Sequence, residues 1–391
     1  MTEFQKNVVA LIRKGLGEKE IPSDSPVDYA KLYDFSKWHQ ITCIMYGALF
    51  AENAFHESPE YTRWAKLFYF LLGHSEKQLY EANRICRAFD TAGIDYLPLK
   101  GIRIKSFYPE TQMREMGDVD ILIRLSDYED KIRPVMNSLG FTETKESAHE
   151  LIWELPQQNI SVELHKMLIP DYNKDFYAYF GTGWKKAVPA AEMAHEYVFS
   201  PEDEFIFMFT HFAKHYRDAG AGIKYVVDFY VYFQRYPSLD CEYIENELQK
   251  LKLNVFYKNV RKLLDVWFNG ANGDEITDFL TDKVFGGGVY GNSDRSLSAG
   301  LKESKKSKNY RFVHAVKMIF PPYSAMKIKY SVLEKLPFLL PIFWPIRWFA
   351  VLLFRPKEIK NQFGVLKKMK KENVKNYQAE LNFVGLDYNF K

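Results

Sequence analysis

Cysteine is scarce in this chain, which holds three such residues among its 391. Cys43, Cys86 and Cys241 lie far apart, and no two of them form a CxxC pair. This spacing excludes a disulfide scaffold and a cysteine-based zinc site, and it fits a reducing cytosol. The first residues also lack the basic segment and the apolar run of a signal peptide, so we expect a cytoplasmic protein.

An excess of charge of one sign is also missing, because 53 basic residues face 50 acidic ones. The whole chain therefore gives no strong nucleic-acid signal, although a local basic patch is compatible with this balance.

No apolar run has the length of a transmembrane helix. The most apolar window, residues 336–354, is interrupted by three prolines and by Arg347, whereas a spanning helix needs about 20 predominantly apolar residues. A strongly basic tail follows this window. Such a tail is most often a solvated helix face. Because the window before it contains aromatic residues, the two together also suit a peripheral membrane contact through residues 336–375.

The composition is that of a folded protein, with 47% apolar and 26% charged residues. At about 150 residues per domain, the length predicts two or three domains. We expect helices across residues 1–92, a small mixed sheet within 93–170, a helical region at 171–270 and a C-terminal helical region with a basic tail at 271–391. The predicted fold class is therefore α+β.

Alternating apolar residues predict the strands of the sheet. Residues 119–125 alternate and are rich in β-branched side chains, and two further runs at 151–155 and 160–165 are separated by a turn. A short extended run at 94–99 precedes them. Apolar residues at helical spacing then predict helices at 202–217, 223–235, 241–251 and 254–267.

The sharpest chemical signal is the acidic pair Asp118 and Asp120. Residues i and i+2 of a strand face the same side, so these two carboxylates project together. Like charges held this close repel each other unless a cation neutralises them, and hard oxygen ligands suit Mg²⁺ or Mn²⁺. If the strand that carries Glu163 pairs beside this one, the three carboxylates form a cluster for metal-assisted displacement at phosphorus.

A strand-to-helix turn lies upstream of the acidic pair, at residues 97–101. Its backbone N–H groups are suited to hold a phosphate, and Lys100 adds a positive charge beside Gly101.

These features resemble the DNA polymerase β-type nucleotidyltransferase superfamily, and more closely its uncharacterised bacterial branch of stand-alone nucleotidyltransferase-like proteins. The resemblance covers residues 94–236. It rests on Leu99-Lys100-Gly101, Tyr108-Pro109, Arg114, Gly117-Asp118-Val119-Asp120, Leu139-Gly140-Phe141, His149, Val162-Glu163-Leu164-His165 and, in the helical segment, His211, Lys214, His215, Gly220, Gly222, Ile223, Lys224 and Asp228.

The resemblance implies a polymerase β-like palm at residues 93–170, with an NTP as substrate. It also implies that Asp118, Asp120 and Glu163 are the metal-binding, catalytic carboxylates. The residues expected to contact the nucleotide are Lys100, Gly101, Arg114, His165 and Lys214.

One segment departs from the superfamily pattern, which usually has Gly-Ser or Gly-Gly on the helix after its first strand. Here the residues are Lys100-Gly101-Ile102, and the spacing of 17 positions from Gly101 to Asp118 is longer than is usual in the superfamily. We therefore expect the phosphates to be held differently.

A second set of polar residues is expected to line the cleft opposite the sheet. His211, Lys214 and His215 fall at i, i+3 and i+4, so they share one helix face. Zinc is disfavoured there, because this segment offers neither a third ligand nor the glutamate of a His-Glu-x-x-His motif. Lys224 and Asp228 follow on the next helix, where Asp228 is expected either to orient a lysine or to form a structural ion pair.

Two other residues keep alternative roles. Arg114 is expected to bind phosphate or to cap a surface loop, and His165 to assist Glu163 or merely to pack.

The predicted reaction is Mg²⁺-dependent transfer of a nucleoside monophosphate from an NTP to an acceptor hydroxyl, on a small molecule or a protein, with release of pyrophosphate. One alternative is a catalytically inactive nucleotide-binding or partner-binding protein on the same fold, which the altered Lys100-Gly101 turn favours. The intact carboxylates argue against it, because clustered acids without a use destabilise a fold. A further alternative is a phosphotransferase that moves the terminal phosphate.

Overall fold

The structure is a computed structural model. It describes residues 1–18, 27–288, 316, 319–323, 326, 327, 330, 332–354 and 371–387. The predicted contact region at 336–375 lies partly outside the described residues, because 355–370 are not among them.

Helices precede the sheet, as expected. They are α1 (Glu3–Gly15), α2 (Tyr29–His39), α3 (Thr42–Leu49), α4 (Asn53–His56) and α5 (Tyr61–Thr91).

The long helix α5 ends at a glycine. Gly93 has a φ of 65°, in the left-handed region that favours this residue type. The Ile94 N–H donates to the Phe89 carbonyl at 2.9 Å, which closes the helix end and directs the chain into the first strand.

A five-stranded mixed sheet follows. Its strands are β1 (Tyr96–Pro98), β2 (Val119–Ile123), β3 (Thr142–Glu146), β4 (Glu150–Leu155) and β5 (Ile160–His165). The spatial order is β1-β2-β5-β4-β3. β2 pairs antiparallel with β1 and parallel with β5, whereas β4 is antiparallel to both β5 and β3. The two strands predicted to carry the carboxylates are therefore direct neighbours.

Alternation along β2 gives the sheet two chemically different faces. Val119, Ile121 and Ile123 are fully buried in a cluster that includes residues of α5 and of α7 (Arg133–Ser138). The residues between them point to the opposite face. That face carries Asp120, and a short helix, α6 (Gly101–Lys105), enters beside it.

The described residues that follow the sheet are mainly helical. It forms α8 (Lys174–Phe180), α9 (Pro201–Asp218), α10 (Ile223–Arg235), α11 (Cys241–Lys250), α12 (Asn254–Phe268), α13 (Glu275–Gly287), α14 (Val332–Lys335), α15 (Leu340–Phe354) and α16 (Lys371–Val384), with a two-stranded ribbon of β6 (Val188–Pro189) and β7 (Tyr197–Val198).

The α+β class and the small mixed sheet flanked by helices are confirmed. Among the described residues, the larger of two apolar clusters combines residues of the N-terminal helices, α9 to α13 and α16. The predicted division at residues 92, 170 and 270 stays a prediction.

Several of the described elements were not predicted: the strand β3, the helix α8, and the strands β6 and β7 within the segment expected to be helical. β3 has no buried residue, α8 is seven residues long, and β6 and β7 have two residues each, so none of them gives the apolar period on which a sequence-based prediction depends.

Among the helices that the structure describes, none combines the length and the apolar character needed to cross a bilayer.

Candidate active site

Asp120 and Glu163 lie directly opposite each other on the parallel strands β2 and β5. His165 follows Glu163 by two positions, so it faces the same side of the sheet. One ligand atom from each of Asp120, Glu163 and His165 lies within 4.8 Å of the others, an arrangement able to hold a metal ion. The sheet register therefore builds a compact polar cluster.

Asp120 is buried and contacts two nitrogen groups. Its Oδ1 accepts a hydrogen bond from the Lys100 ammonium at 2.8 Å and lies 2.7 Å from Nε2 of His165. Burial alone would raise the pKa of Asp120. The positive charge of Lys100 and the hydrogen bond to His165 outweigh burial and hold this pKa well below its usual range. Asp120 is therefore ionised at neutral pH.

Glu163 is in the opposite electrostatic situation. Burial, together with the negative charges of Asp118 and Asp120, raises the pKa of Glu163 to about 9. Its Oε2 lies 3.6 Å from Nε2 of His165. A carboxyl group with this surplus of negative charge around it is stabilised by any cation that enters the cluster.

Lys100 reaches Asp120 from a strained backbone. Its φ of 46° and ψ of −110° lie in a region that residues other than glycine rarely adopt. The turn is fixed to β2, because the Leu99 N–H donates to the Asp120 carbonyl at 2.9 Å. Burial tends to lower the pKa of Lys100, but Asp120 and Glu163 raise it overall. Strain at a residue that contacts a central carboxylate is typical of functional sites.

Gly101 allows a close approach of two segments. A Cβ atom at this position would lie 2.9 Å from Sδ and 3.3 Å from Cβ of Met116. The absence of a side chain therefore lets the start of α6 pack against the segment that leads to Asp118.

Arg114 and Asp228 form a buried bidentate ion pair. Nε of Arg114 donates to Oδ1 of Asp228 at 3.0 Å, and Nη2 donates to Oδ2 at 2.8 Å. The Tyr108 hydroxyl also donates to Asp228, at 2.7 Å. Burial opposes the charge of Arg114, but Asp228 outweighs it and raises the pKa of Arg114.

The structural ion pair expected for Asp228 is thus present, and its partner is Arg114. Phosphate binding by Arg114 stays a prediction, as do the roles assigned to the other site residues.

His211, Lys214 and His215 lie on one face of α9, which turns toward the sheet. The two Nε2 atoms of His211 and His215 are 3.1 Å apart, so one ring donates and the other accepts. Burial and nearby lysines lower the pKa of both histidines, to about 3 for His215. Burial and the charge of Lys100 likewise lower the pKa of Lys214.

Lys224 extends from α10 into the same space. Its ammonium donates to Oε1 of Gln40 at 2.5 Å and to the Glu115 carbonyl at 3.4 Å. Burial, followed by the charge of Arg114, lowers the pKa of Lys224 to about 7. The ammonium is thus held by neutral oxygen atoms.

All predicted site residues line one cavity of about 340 Å³. These residues are Lys100, Gly101, Arg114, Asp118, Asp120, Glu163, His165, His211, Lys214, His215, Lys224 and Asp228. The sheet supplies the acids, and α9 and α10 supply cations and histidines on the facing wall.

Several lining residues were not predicted as part of the site. Gln40 comes from the end of α2, and its left-handed φ of 52° leaves no recognisable pattern in the sequence. Tyr225 adjoins Lys224, and Glu150 pairs with His149 at 3.0 Å. The family resemblance at His149 was the signal that pointed toward this last pair.

The donor set suits a divalent cation. Carboxylate oxygens are the preferred ligands of Mg²⁺ and suit Mn²⁺ as well. Asp118 adjoins the cluster and raises the pKa of Glu163. The cluster therefore offers acidic oxygen atoms together with one histidine nitrogen.

Comparison with known families agrees with this geometry. Residues 25–269 match the family described as "Uncharacterised nucleotidyltransferase". No curated protein and no solved structure matched the chain. The matched segment includes every residue that lines the cavity. Because it also spans more than half of the chain, the protein belongs to this family of uncharacterised nucleotidyltransferases.

Proposed function

We propose that the protein transfers a nucleoside monophosphate from an NTP to an acceptor hydroxyl and releases pyrophosphate. The observation that carries this proposal is the opposed pair Asp120 and Glu163 on parallel strands, with His165 beside them, all within 4.8 Å. Membership of the nucleotidyltransferase family supports the same reaction class.

The residues proposed to hold a metal are Asp118, Asp120 and Glu163. A bound Mg²⁺ or Mn²⁺ would supply positive charge against the triphosphate and the developing charge at phosphorus. Lys100 and His165 already keep Asp120 ionised and fix its orientation. Beside a bound cation Glu163 would lose its own proton, and the resulting carboxylate is proposed to take the proton from the acceptor hydroxyl.

Positive groups on both walls are proposed to bind the phosphates. Lys100 approaches from the sheet, and Lys214 approaches from α9. Within the described residues the Lys214 ammonium has no hydrogen bond or ion pair, so an incoming phosphate gains a charge-assisted contact without breaking an existing one. Lys224 and the histidines of α9 complete this wall.

The acceptor is proposed to be a hydroxyl of a small molecule or of a protein side chain. The cavity of about 340 Å³ falls at the small end of the range typical of ligand sites. An acceptor group therefore enters beside the nucleotide, with most of its own bulk outside.

Thermal unfolding in the presence of each NTP with Mg²⁺ or Mn²⁺ tests nucleotide binding. A ligand at about 100 times its Kd adds about 2.7 kcal/mol to the free energy of unfolding. One NTP should raise the Tm of the native protein and fail to raise that of Asp118→Asn/Asp120→Asn. Glu154→Gln, at an exposed carboxylate on β4, is the matched control and should respond like the native protein.

Product analysis separates transfer of the nucleotidyl group from transfer of the terminal phosphate. Pyrophosphate supports the proposal, whereas a nucleoside diphosphate supports the phosphotransferase. Absence of any Tm shift with all NTPs contradicts both enzymes.

A second candidate is a nucleotide- or partner-binding protein without chemistry. The ion pair of Lys100 with Asp120 at 2.8 Å favours it, because this carboxylate is neutralised without any added cation. A Tm shift with NTP that is equal in the presence of metal and of a chelator, with no product, would support this candidate over the enzyme.

A further inference from the structure

The helix α15 presents an apolar face to solvent. The exposed residues among its described side chains are Pro341, Ile342, Pro345, Ile346 and Phe349, spaced so that they share one face. Ile342 is 58% and Phe349 is 69% exposed, and Phe338, just before the helix, is 72% exposed. A contiguous apolar surface of this kind on a folded chain marks a contact site.

The other side of α15 is fixed to the chain before it. The indole of Trp344 donates to the Pro321 carbonyl at 3.0 Å, and that of Trp348 donates to the Ile319 carbonyl at 2.6 Å. Both indole rings contact the Phe320 ring, with centroids 5.1 Å apart. The apolar face is therefore held outward by specific contacts on the opposite side.

In the sequence, the positive charge of the chain is concentrated in the segment that contains this helix. Residues 301–371 hold 17 Lys and Arg against 3 Asp and Glu, a net charge of +14. The other 320 residues hold 36 against 47, a net charge of −11. The near-neutral total thus conceals a strongly basic segment that contains the exposed apolar face, within an otherwise acidic protein.

We propose that α15 and its basic flanks attach the protein to an anionic lipid surface. An interfacial helix buries an apolar face at the boundary of headgroups and acyl chains, while Lys and Arg bind anionic headgroups. The 15 residues of α15 span about 22 Å, which is shorter than the hydrocarbon core of about 30 Å. The helix is therefore suited to lie in the interface.

Lipid fits both features better than the other anionic or apolar partners do. A nucleic acid would match the charge but would leave Ile342, Ile346 and Phe349 exposed, because its outer surface is a chain of phosphates. A second copy of the chain would cover the apolar face but would bring two basic segments together, which repel each other.

Vesicle flotation with the full chain tests the proposal. Vesicles of phosphatidylcholine alone are compared with vesicles that contain 30% phosphatidylserine. We expect binding to the anionic vesicles only, a fall of at least tenfold in the partition coefficient for Ile342→Ser/Phe349→Ser, and a similar fall for Lys367→Glu/Lys368→Glu. The matched control is Tyr69→Ser/Phe70→Ser, which removes two aromatic residues that are 61% and 62% exposed on α5 and should leave binding unchanged.

Other outcomes would overturn the proposal. They are equal binding to neutral vesicles, unchanged binding by both pairs of variants, or binding to single-stranded DNA in place of vesicles. A dimer in solution that Ile342→Ser/Phe349→Ser dissociates would assign the face to self-association instead. The NTP-dependent Tm shift is measured on each variant, so that loss of vesicle binding is separated from loss of fold.

Discussion

At the scale of single residues, Lys100 has a strained backbone and its side chain forms an ion pair with Asp120. Its φ of 46° with ψ of −110° is easier for glycine than for alanine, and strain of this kind is worth about 1–3 kcal/mol. We expect Lys100→Gly to be more stable than Lys100→Ala by about 1 kcal/mol, since both lose the ammonium and only alanine keeps the strain. Urea unfolding of the two variants measures the difference.

The control is the same pair of substitutions at Ser106, where φ is −71° and ψ is −9°. There the order should reverse, because glycine is less favourable than alanine by about 0.5–1 kcal/mol at ordinary helical angles. If alanine were also the more stable substitution at position 100, the backbone there would not be strained.

The pair of Arg114 and Asp228 makes a second prediction at this scale. Because both side chains are at most 8% exposed, Arg114→Met leaves a buried carboxylate without its partner and should lower the free energy of unfolding by about 3–5 kcal/mol. Asp228→Asn in the same chain should recover part of that loss. A double-mutant cycle, measured by urea unfolding, is expected to give a coupling energy of about 1–3 kcal/mol.

Arg63 and Asp34 supply the matched pair on the surface. Their Nη2 and Oδ1 atoms are 2.9 Å apart, but the side chains are 48% and 72% exposed. Their coupling energy should stay within about 1 kcal/mol. Equal coupling energies for the two pairs would contradict the prediction that burial strengthens the coupling of Arg114 with Asp228.

At the scale of elements, sequence periodicity predicted most of the fold around the site. The alternation in β2 and β5 predicted both strands to within two residues, and α10 was predicted at its observed bounds, Ile223–Arg235. These elements bury one side against the core, so their apolar spacing is constrained. β3 lies at the edge of the sheet with every residue at least partly exposed, so no such constraint acts on its sequence.

The sequence predicted which residues belong to the site, but it did not predict which of their side chains contact each other. Local pattern and resemblance identified the acids and the polar face of α9, all of which line the cavity. The contact of Arg114 with Asp228 joins residues 114 positions apart, and that of Lys224 with Gln40 joins residues 184 positions apart. Such contacts depend on how helices pack against the sheet, which local periodicity does not encode.

One buried histidine connects three helices and makes the stability depend on pH. Nε2 of His39, at the end of α2, lies 3.1 Å from the Phe285 carbonyl of α13. Nδ1 accepts from the Ile223 N–H of α10 at 3.4 Å. A neutral ring with its proton on Nε2 satisfies both partners. Burial, opposed only by the bond to Phe285, lowers the pKa of His39 to about 4.

Because the folded-state pKa of His39 is lower than its usual value of 6.5, the unfolded chain binds more protons between these two values. The contribution of His39 to stability is therefore complete above pH 6.5 and is lost as the pH falls toward 4, by about 3 kcal/mol. Urea unfolding of the native protein and of His39→Gln across this range measures it, and the difference in their free energies of unfolding should shrink toward low pH. His56→Gln, at an exposed histidine, is the control, and a constant difference for His39→Gln would contradict the prediction.

At the scale of the whole molecule, one apolar cluster joins segments that are remote in sequence. The cluster contains Val8 of α1, Phe209 of α9 and Leu381 of α16. The Tyr377 hydroxyl donates to the Arg217 carbonyl at 2.6 Å, and the Asn259 amide donates to the Val384 carbonyl at 3.1 Å. The C-terminal helix is therefore held by the same body that supports the α9 wall of the cavity.

This shared core predicts that a change in α16 destabilises the entire body. Leu381 is 0% exposed, and Leu381→Ala should lower the free energy of unfolding by about 2–5 kcal/mol through lost contacts and the cavity it leaves. Circular dichroism and tryptophan fluorescence should follow one coincident transition, at a lower urea concentration than in the native protein. Asn382→Ala, at the exposed neighbouring position, should change stability by less than about 0.5 kcal/mol. Two separate transitions would instead favour independent folding of the predicted regions, because α16 would then unfold without disturbing the helices that complete the site.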